Sequence, residues 1–370
     1  MVVMITKKDL MHALNVGGAV AGKNKVVPIF EYVKCEVDGN LLTVYSNDGE
    51  CGARCTVPCT LHDETFAFCV NASDFMRTIK SIKDDSVNLR VENGFLLIEH
   101  AKGVAQLPVN SDNTFPVFED DGTAIMATMP SAKLAEWLKL SNNFIAKDDL
   151  RPILQGMMLR AESGVFEACA TDAHKLFTDK SDVDVVVNTP FDVVIPARCF
   201  AAISNVLATD DTVIIRNYDK NVEFIGDNCA VSCRKLEGNF PNYRAVIPNI
   251  EQANKFVVGC EDFQESVVRA GMYSDMETSQ LKLEAQATKL HIVAENLDLD
   301  KMANEYVDFI ETNTAKSTCR VSLKADYLLS CINSLSTGPV DVYIGSPDRA
   351  VVFKDRVRAN KIILQMPLMS

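Results

Sequence analysis

Apolar residues recur along this chain with two alternating periods, and the alternation is itself repeated three times. Leu134, Trp137 and Leu138 stand at the three-and-four spacing of a helix face. Leu10 lies 124 residues before Leu134 and Phe263 lies 129 after it, in equivalent places. Amphipathic helices are therefore predicted over 6–21, 130–145 and 260–273, with Thr6 and Ser131 as N-caps and Asp262 near the start of the third. Between helices the period changes to two. Residues 32–37 and 41–45 alternate about the turn Asp38-Gly39-Asn40, which predicts a hairpin. A second helix is predicted over 72–82, 197–207 and 324–335, with Phe75, Phe200 and Tyr327 in matching positions. Strand pairs follow at 86–91 with 95–99, 211–216 with 222–225, and 340–344 with 350–353. Each copy closes on one more strand, at 103–107, 230–235 and 362–366.

A repeat this long is not a solenoid, whose units run to roughly 20–50 residues. It is a whole domain present three times, and two helices on one side of antiparallel sheet give an α+β fold with segregated layers. The dipeptides Phe115-Pro116 and Phe240-Pro241, 125 residues apart, mark copy ends, and the expected domains are 1–125, 126–252 and 253–370. The stretch 233–248, CRKLEGNFPNYRAVIP, holds Pro241 and Pro248 and predicts a stiff, extended connector.

At 47% hydrophobic and 24% charged, the chain has the composition of folded domains with real cores. No apolar run approaches the roughly 20 residues of a membrane span. Twelve cysteines without a secretion signal read as reduced thiols in a cytoplasmic protein. The net charge of −13 argues against general DNA binding, which rests on phosphate neutralisation. It still permits a protein that gathers its lysines on one surface or holds DNA by enclosing it. Basic residues do gather on the predicted helices, among them Lys7, Lys8, Arg77, Lys80 and Lys139, although a solvated helix face has the same pattern.

Two candidate chemistries are weak. Cys51, Cys55 and Cys59, like Cys229 and Cys233, share one face of a strand. Successive members are about 13 Å apart, too far to share an ion, so buried free thiols are expected and no metal. Asp172 and His174 also share a strand face and suggest a hydrolase or nuclease. No nucleophile motif, glycine-rich phosphate loop or third ligand accompanies them, so no catalytic residue, no cofactor and no enzyme are expected.

The threefold α+β plan, the connector CRKLEGNFPNYRAVIP, the segment Thr171-Asp172-Ala173-His174-Lys175-Leu176 and the terminus Gln365-Met366-Pro367-Leu368-Met369-Ser370 together resemble the bacterial DNA polymerase III β subunit, the sliding clamp. The resemblance runs the full length of the chain. It implies three tandem DNA-clamp domains in a head-to-tail homodimer that closes a ring around double-stranded DNA without sequence preference. Twelve helices spaced about 8–10 Å apart leave a hole of roughly 25 Å, whereas six leave none a duplex can enter. A divergent clamp from a phage, a plasmid or a second gene copy has the same features. The resemblance further implies a cleft that takes short linear peptides from the DNA polymerase, the clamp loader and repair proteins. Carried over by position, the cleft comprises Leu154, Thr171, His174, Lys175, Leu176, Pro241, Val246, Tyr327, Leu364, Met366, Pro367, Leu368 and Met369. DNA-facing positions by resemblance are Lys23, Lys25, Lys147, Arg151 and Arg198; the dimer seam is Leu107 against Met272 and Tyr273 of a second copy. Three positions depart from the family as the resemblance has it: Lys175 replaces an arginine and loses a planar fork of donors, Ala245 stands where an arginine is common, and Thr278 stands where an aromatic or other large residue is found.

Overall fold

The computed structural model describes residues 2–22, 26–61, 65–110, 115–116, 125–181, 186–187, 189–312 and 319–368. Six helices appear among them, two per copy of the repeat. These are α1 (Lys7–Val16), α2 (Ala72–Ser81), α3 (Ser131–Ser141), α4 (Phe200–Leu207), α5 (Cys260–Gly271) and α6 (Ala325–Ile332). Each is shorter than its periodicity suggested, because the first and last turns loosen into caps and 3₁₀ turns. Thr6 caps α1 as expected: its Oγ1 accepts from the Asp9 amide at 3.1 Å. Ser131 does not cap; it is the first residue of α3, and its buried hydroxyl finds no partner among the described residues. At α5 the cap is Gly259, with Glu261 and Asp262 in the first turn, where carboxylates favour the positive helix end. No helix among the described residues is long and apolar enough to cross a membrane.

The chain forms two compact units. The first comprises Met1–Glu136, Ala161–Gly164 and Val185–Lys235. Apart from Phe191–Pro196, its strands form one continuous antiparallel sheet, in which the run Cys229–Arg234, Cys51–Pro58, Leu41–Asn47, Tyr32–Asp38 joins the second copy of the repeat to the first. The join is in register, Cys229 opposite Cys55 and Cys233 opposite Cys51. The inner face of strand Cys51–Pro58 presents Cys51, Ala53, Cys55 and Val57, all buried, and α1 packs on it.

The second unit comprises Trp137–Arg160, Val165–Asp184 and Leu236–Ser370. Here strand Lys175–Lys180 of the second copy pairs antiparallel with Ile362–Gln365, the last strand of the third. From there the sheet runs through Val351–Asp355, Pro339–Ile344 and Asn254–Gly259 to Lys301–Thr312 and Lys289–Asn296. The helices α5 and α6 pack on one another. The single tryptophan, Trp137, is fully buried and donates its indole N–H to Asp179 at 2.9 Å.

The connector is not extended throughout. Cys233 and Arg234 end a strand, but Tyr243–Val246 is a short 3₁₀ turn, and a second, Ile250–Gln252, follows the connector. The Pro241 carbonyl accepts from the Tyr243 amide at 2.7 Å. The Tyr243 ring is buried, edge-on to Phe240 at 6.3 Å between centroids. Burying that ring requires a turn, and this overrides the extended preference around the prolines. The twelve cysteines are free, and all except Cys59 are buried.

One glycine sets how closely the helix layer meets the sheet. A Cβ on Gly17, just past α1, would lie 2.4 Å from the Val44 carbonyl oxygen, 2.8 Å from that of Ala13 and 3.0 Å from the Cys55 amide. Those neighbours are backbone and cannot swing aside. Gly17→Ala is expected to lower stability by about 1–3 kcal/mol, the cost of overpacking, read as a lower urea midpoint at unchanged slope. A midpoint equal to the parent would mean that α1 does not rest on this strand.

Candidate functional site

The segment Thr171–Leu176 is a tight turn between strands Val165–Thr171 and Lys175–Lys180, and its side chains build it. Asp172 Oδ1 accepts from the amides of His174 and Lys175, both at 2.9 Å. Thr171 Oγ1 accepts from the Ala173 amide at 3.0 Å and donates to the Lys175 carbonyl at 2.8 Å. These bonds hold Ala173 at φ 77°, in the left-handed region. The other oxygen of Asp172 pairs with Lys175 Nζ at 2.7 Å. The Asp172 carboxylate is thus occupied in shaping the turn and neutralising a lysine, not poised for proton transfer.

Lys175 is nearly buried, and its ammonium lies among aromatic faces. Nζ is 5.3 Å from the ring centre of Tyr327, on α6, and 5.6 Å from that of Phe144. Lys324 Nζ also approaches the Tyr327 ring, at 5.0 Å. The His174 ring stacks on Tyr327 at 5.5 Å between centroids. Burial, and secondarily the carboxylates of Asp172, Asp326 and Asp148, push the Tyr327 hydroxyl above its ordinary pKa, so it remains a donor. A cation held over aromatic rings in a partly dry site is worth roughly 0.5–2 kcal/mol.

These groups open onto a cleft of about 500 Å³. Of the residues predicted for the site, Leu154, His174, Lys175 and Tyr327 line it together. Thr171, Leu176 and Leu364 are buried, Leu176 and Leu364 as direct cross-strand partners. Met366 is half-buried and tied to the turn by its amide, which donates to the His174 carbonyl at 2.7 Å. Pro367 is half-buried. Leu368 lines a different pocket, with Leu283, Val293 and Val321, because its amide donates to the Ser322 carbonyl at 2.8 Å. Pro241 and Val246 are exposed and do not line the cleft. Met369 lies outside the described residues.

Of the predicted DNA-facing residues, Lys147 and Arg151 are exposed and line this same cleft. Arg198 pairs with Glu50 at 2.8 Å. Lys23 and Lys25 lie outside the described residues. Of the predicted seam residues, Leu107 is half-buried, while Met272 is 72% and Tyr273 44% exposed. Sequence reasoning missed Phe144 and the partnership of Asp172 with Lys175. The three-residue offset between Asp172 and Lys175 was a legible signal for the ion pair.

Comparison with known proteins accounts for the whole chain. Family profiles of the DNA polymerase III beta subunit match in order: the N-terminal domain over 1–119, the central domain over 128–242 and the C-terminal domain over 244–369. A Pseudomonas putida protein named beta sliding clamp is 20% identical over 367 residues, covering 98% of both chains. The crystal structure of the DNA polymerase III subunit beta of Pseudomonas aeruginosa superposes with a TM-score of 0.91 at 22% identity over 100% of both chains. The beta subunit of Streptococcus pyogenes DNA polymerase gives 0.92 at 21%, again over 100% of both.

Removing the Asp172 carboxylate strands a nearly buried ammonium and two amides. Asp172→Ala is expected to cost about 2–4 kcal/mol, measured by urea unfolding. A loss below about 0.5 kcal/mol, the level of an ordinary surface substitution, would refute its role in holding the turn.

Proposed function

The chain belongs to the DNA polymerase III beta subunit family, and on that footing we propose that it is a sliding clamp, a non-enzymatic processivity factor that encircles duplex DNA in the cytoplasm. The observation that carries this reading is a pair of unlike strand edges left open in a single chain. In each unit a strand from one copy of the repeat accepts the last strand of the next copy: Cys51–Pro58 takes Cys229–Arg234, and Lys175–Lys180 takes Ile362–Gln365. The corresponding strands left over are Lys301–Thr312 in the third copy and Gly103–Asn110 in the first. Among the described residues, 301–308 pair only with Lys289–Asn296, and 103–108 only with Phe95–His100. A second copy of the chain supplies what each edge lacks.

Open edges invite pairing, and these two carry apolar side chains suited to it. Val104 is 60% exposed on one, and Met302 is 58% exposed on the other, against which α5 packs. Unlike edges join head to tail, and two chains that close on each other form a ring. A ring on DNA needs little affinity. Weak, sequence-neutral phosphate contacts from helix lysines let it slide, and the net charge of −13 discourages contact elsewhere. The cleft around Lys175 and Tyr327 takes short linear peptides from the polymerase, the clamp loader and repair proteins. Tethered this way, the polymerase stays at high effective concentration near the primer end.

Light scattering at micromolar concentration is expected to give twice the 40.8-kDa chain mass. The double variant Met272→Asp, Tyr273→Asp should give the single mass. An unchanged mass would remove the seam as drawn. The parent should be retained on circular duplex DNA and lost when the circle is cut; equal retention on both forms would contradict encirclement. Separately, His174→Ala with Tyr327→Ala should weaken a polymerase-derived peptide at least about 10-fold, the effect of losing one modest hot spot. Unaltered peptide binding would move the partner site elsewhere.

A further inference from the structure

The strand join between the first and second copies carries a cluster of side chains that the clamp reading leaves unused. Cys55 stands directly opposite Cys229 across the join, and Cys51 stands opposite Cys233 four residues along. The pleat puts all four on one face, with α1 packed against one strand and α4 against the other. Cys55 and Cys229 are buried, and their sulfurs are 2.8 Å apart. His12, on α1, places Nε2 3.9 Å from the Cys229 sulfur. A ligand atom from each of the three residues lies within 4.8 Å of the other two. α1 is seated closely here, with Gly17 against the Cys55 amide.

We propose that Cys55, Cys229 and His12 form a binding site for a thiophilic d¹⁰ cation, zinc by class. Two thiolates and an imidazole are the ligand types that zinc selects, and three protein ligands leave a fourth position for water. Tetrahedral zinc, with Zn–S about 2.3 Å and Zn–N about 2.0–2.1 Å, sets sulfur to sulfur near 3.8 Å and sulfur to nitrogen near 3.6 Å. The imidazole nitrogen is already within a few tenths of an ångström of that spacing from the Cys229 sulfur, and within 4.8 Å of the Cys55 sulfur. The sulfurs must part by about 1 Å to reach the zinc spacing. Packing alone asks for small apolar groups here, not for a ring nitrogen beside a thiol.

The local charges agree with the geometry. The mutual hydrogen bond holds the Cys229 thiol below its ordinary pKa and raises that of Cys55. The nearby Asp210 carboxylate pushes both thiols up, an excess of negative charge that a cation relieves. His12 is half-buried and leaves a way in from solvent. A bound ion would tie α1 to both strands of the join. The neighbouring group, Cys199 hydrogen-bonded with Cys51 and Cys233, offers no imidazole and serves as the control.

The test uses the full-length protein, reduced and stripped with a chelator, then titrated with cobalt(II) and with zinc against a chromophoric competitor. One equivalent per chain is expected, with thiolate-to-cobalt charge-transfer bands and the intense visible bands of a tetrahedral centre. Cys229→Ser and His12→Gln should each weaken binding at least about 10-fold, while Cys51→Ser leaves it unchanged. His12 is only half-buried, so His12→Gln keeps the test decisive should the cysteine variants fail to fold. Three results overturn the proposal: no binding by the reduced protein, loss on Cys51→Ser with none on His12→Gln, or a Cys55–Cys229 disulfide forming while cobalt is ignored.

Discussion

Backbone pairing between successive copies of the repeat is the constraint on which the rest of the molecule depends. Cys51 to Cys55 runs against Cys229 to Cys233, and Lys175 to Thr178 runs against Ile362 to Gln365. Every buried amide and carbonyl on these strands must find a partner, whatever side chains it carries. The pairing therefore asks for strand length, register and small or apolar inward residues, and little else. That is why a chain about 20% identical to a Pseudomonas clamp superposes on such a structure with a TM-score of 0.91.

The repeat, the six helices and the strand pairs were legible because burial imposes period on sequence. Leu134, Trp137 and Leu138 are buried on one face of α3, and Thr6 announced the start of α1 through its hydroxyl. Ser131 carried the same signal and did not cap, since its side chain is enclosed at the first turn. The connector misled because two prolines speak for extension, while a single buried ring, Tyr243, required a turn. The buried free thiols were legible, but their neighbours across the join were not. A spacing of four along one strand measures distance on that strand only. Register across to Cys229 is a tertiary fact, set by which strand comes alongside.

The cleft was legible in part for the same reason. Leu154, His174, Lys175 and Tyr327 converge because the Asx-type turn and α6 face one another within the second unit. Leu368 was drawn away by one backbone hydrogen bond to Ser322, which no pattern in the sequence announces. A lysine at position 175 carries charge without the geometry of an arginine. A guanidinium would present a flat fork to a ligand. The Lys175 ammonium instead points at Asp172 and two aromatic faces, so it acts chiefly as a fastening inside the wall of the cleft.

The two open edges are unlike, and this gives any closed assembly a direction. When like meets like across a twofold axis, the faces of the product are interchangeable. When strand Lys301–Thr312 meets strand Gly103–Asn110 of another copy, every copy around the circle points the same way. Each cleft then takes the same orientation relative to the axis of the ring. On a duplex, such an object has a front and a back, so whatever docks in its clefts inherits an orientation along the track before any contact with a base is made.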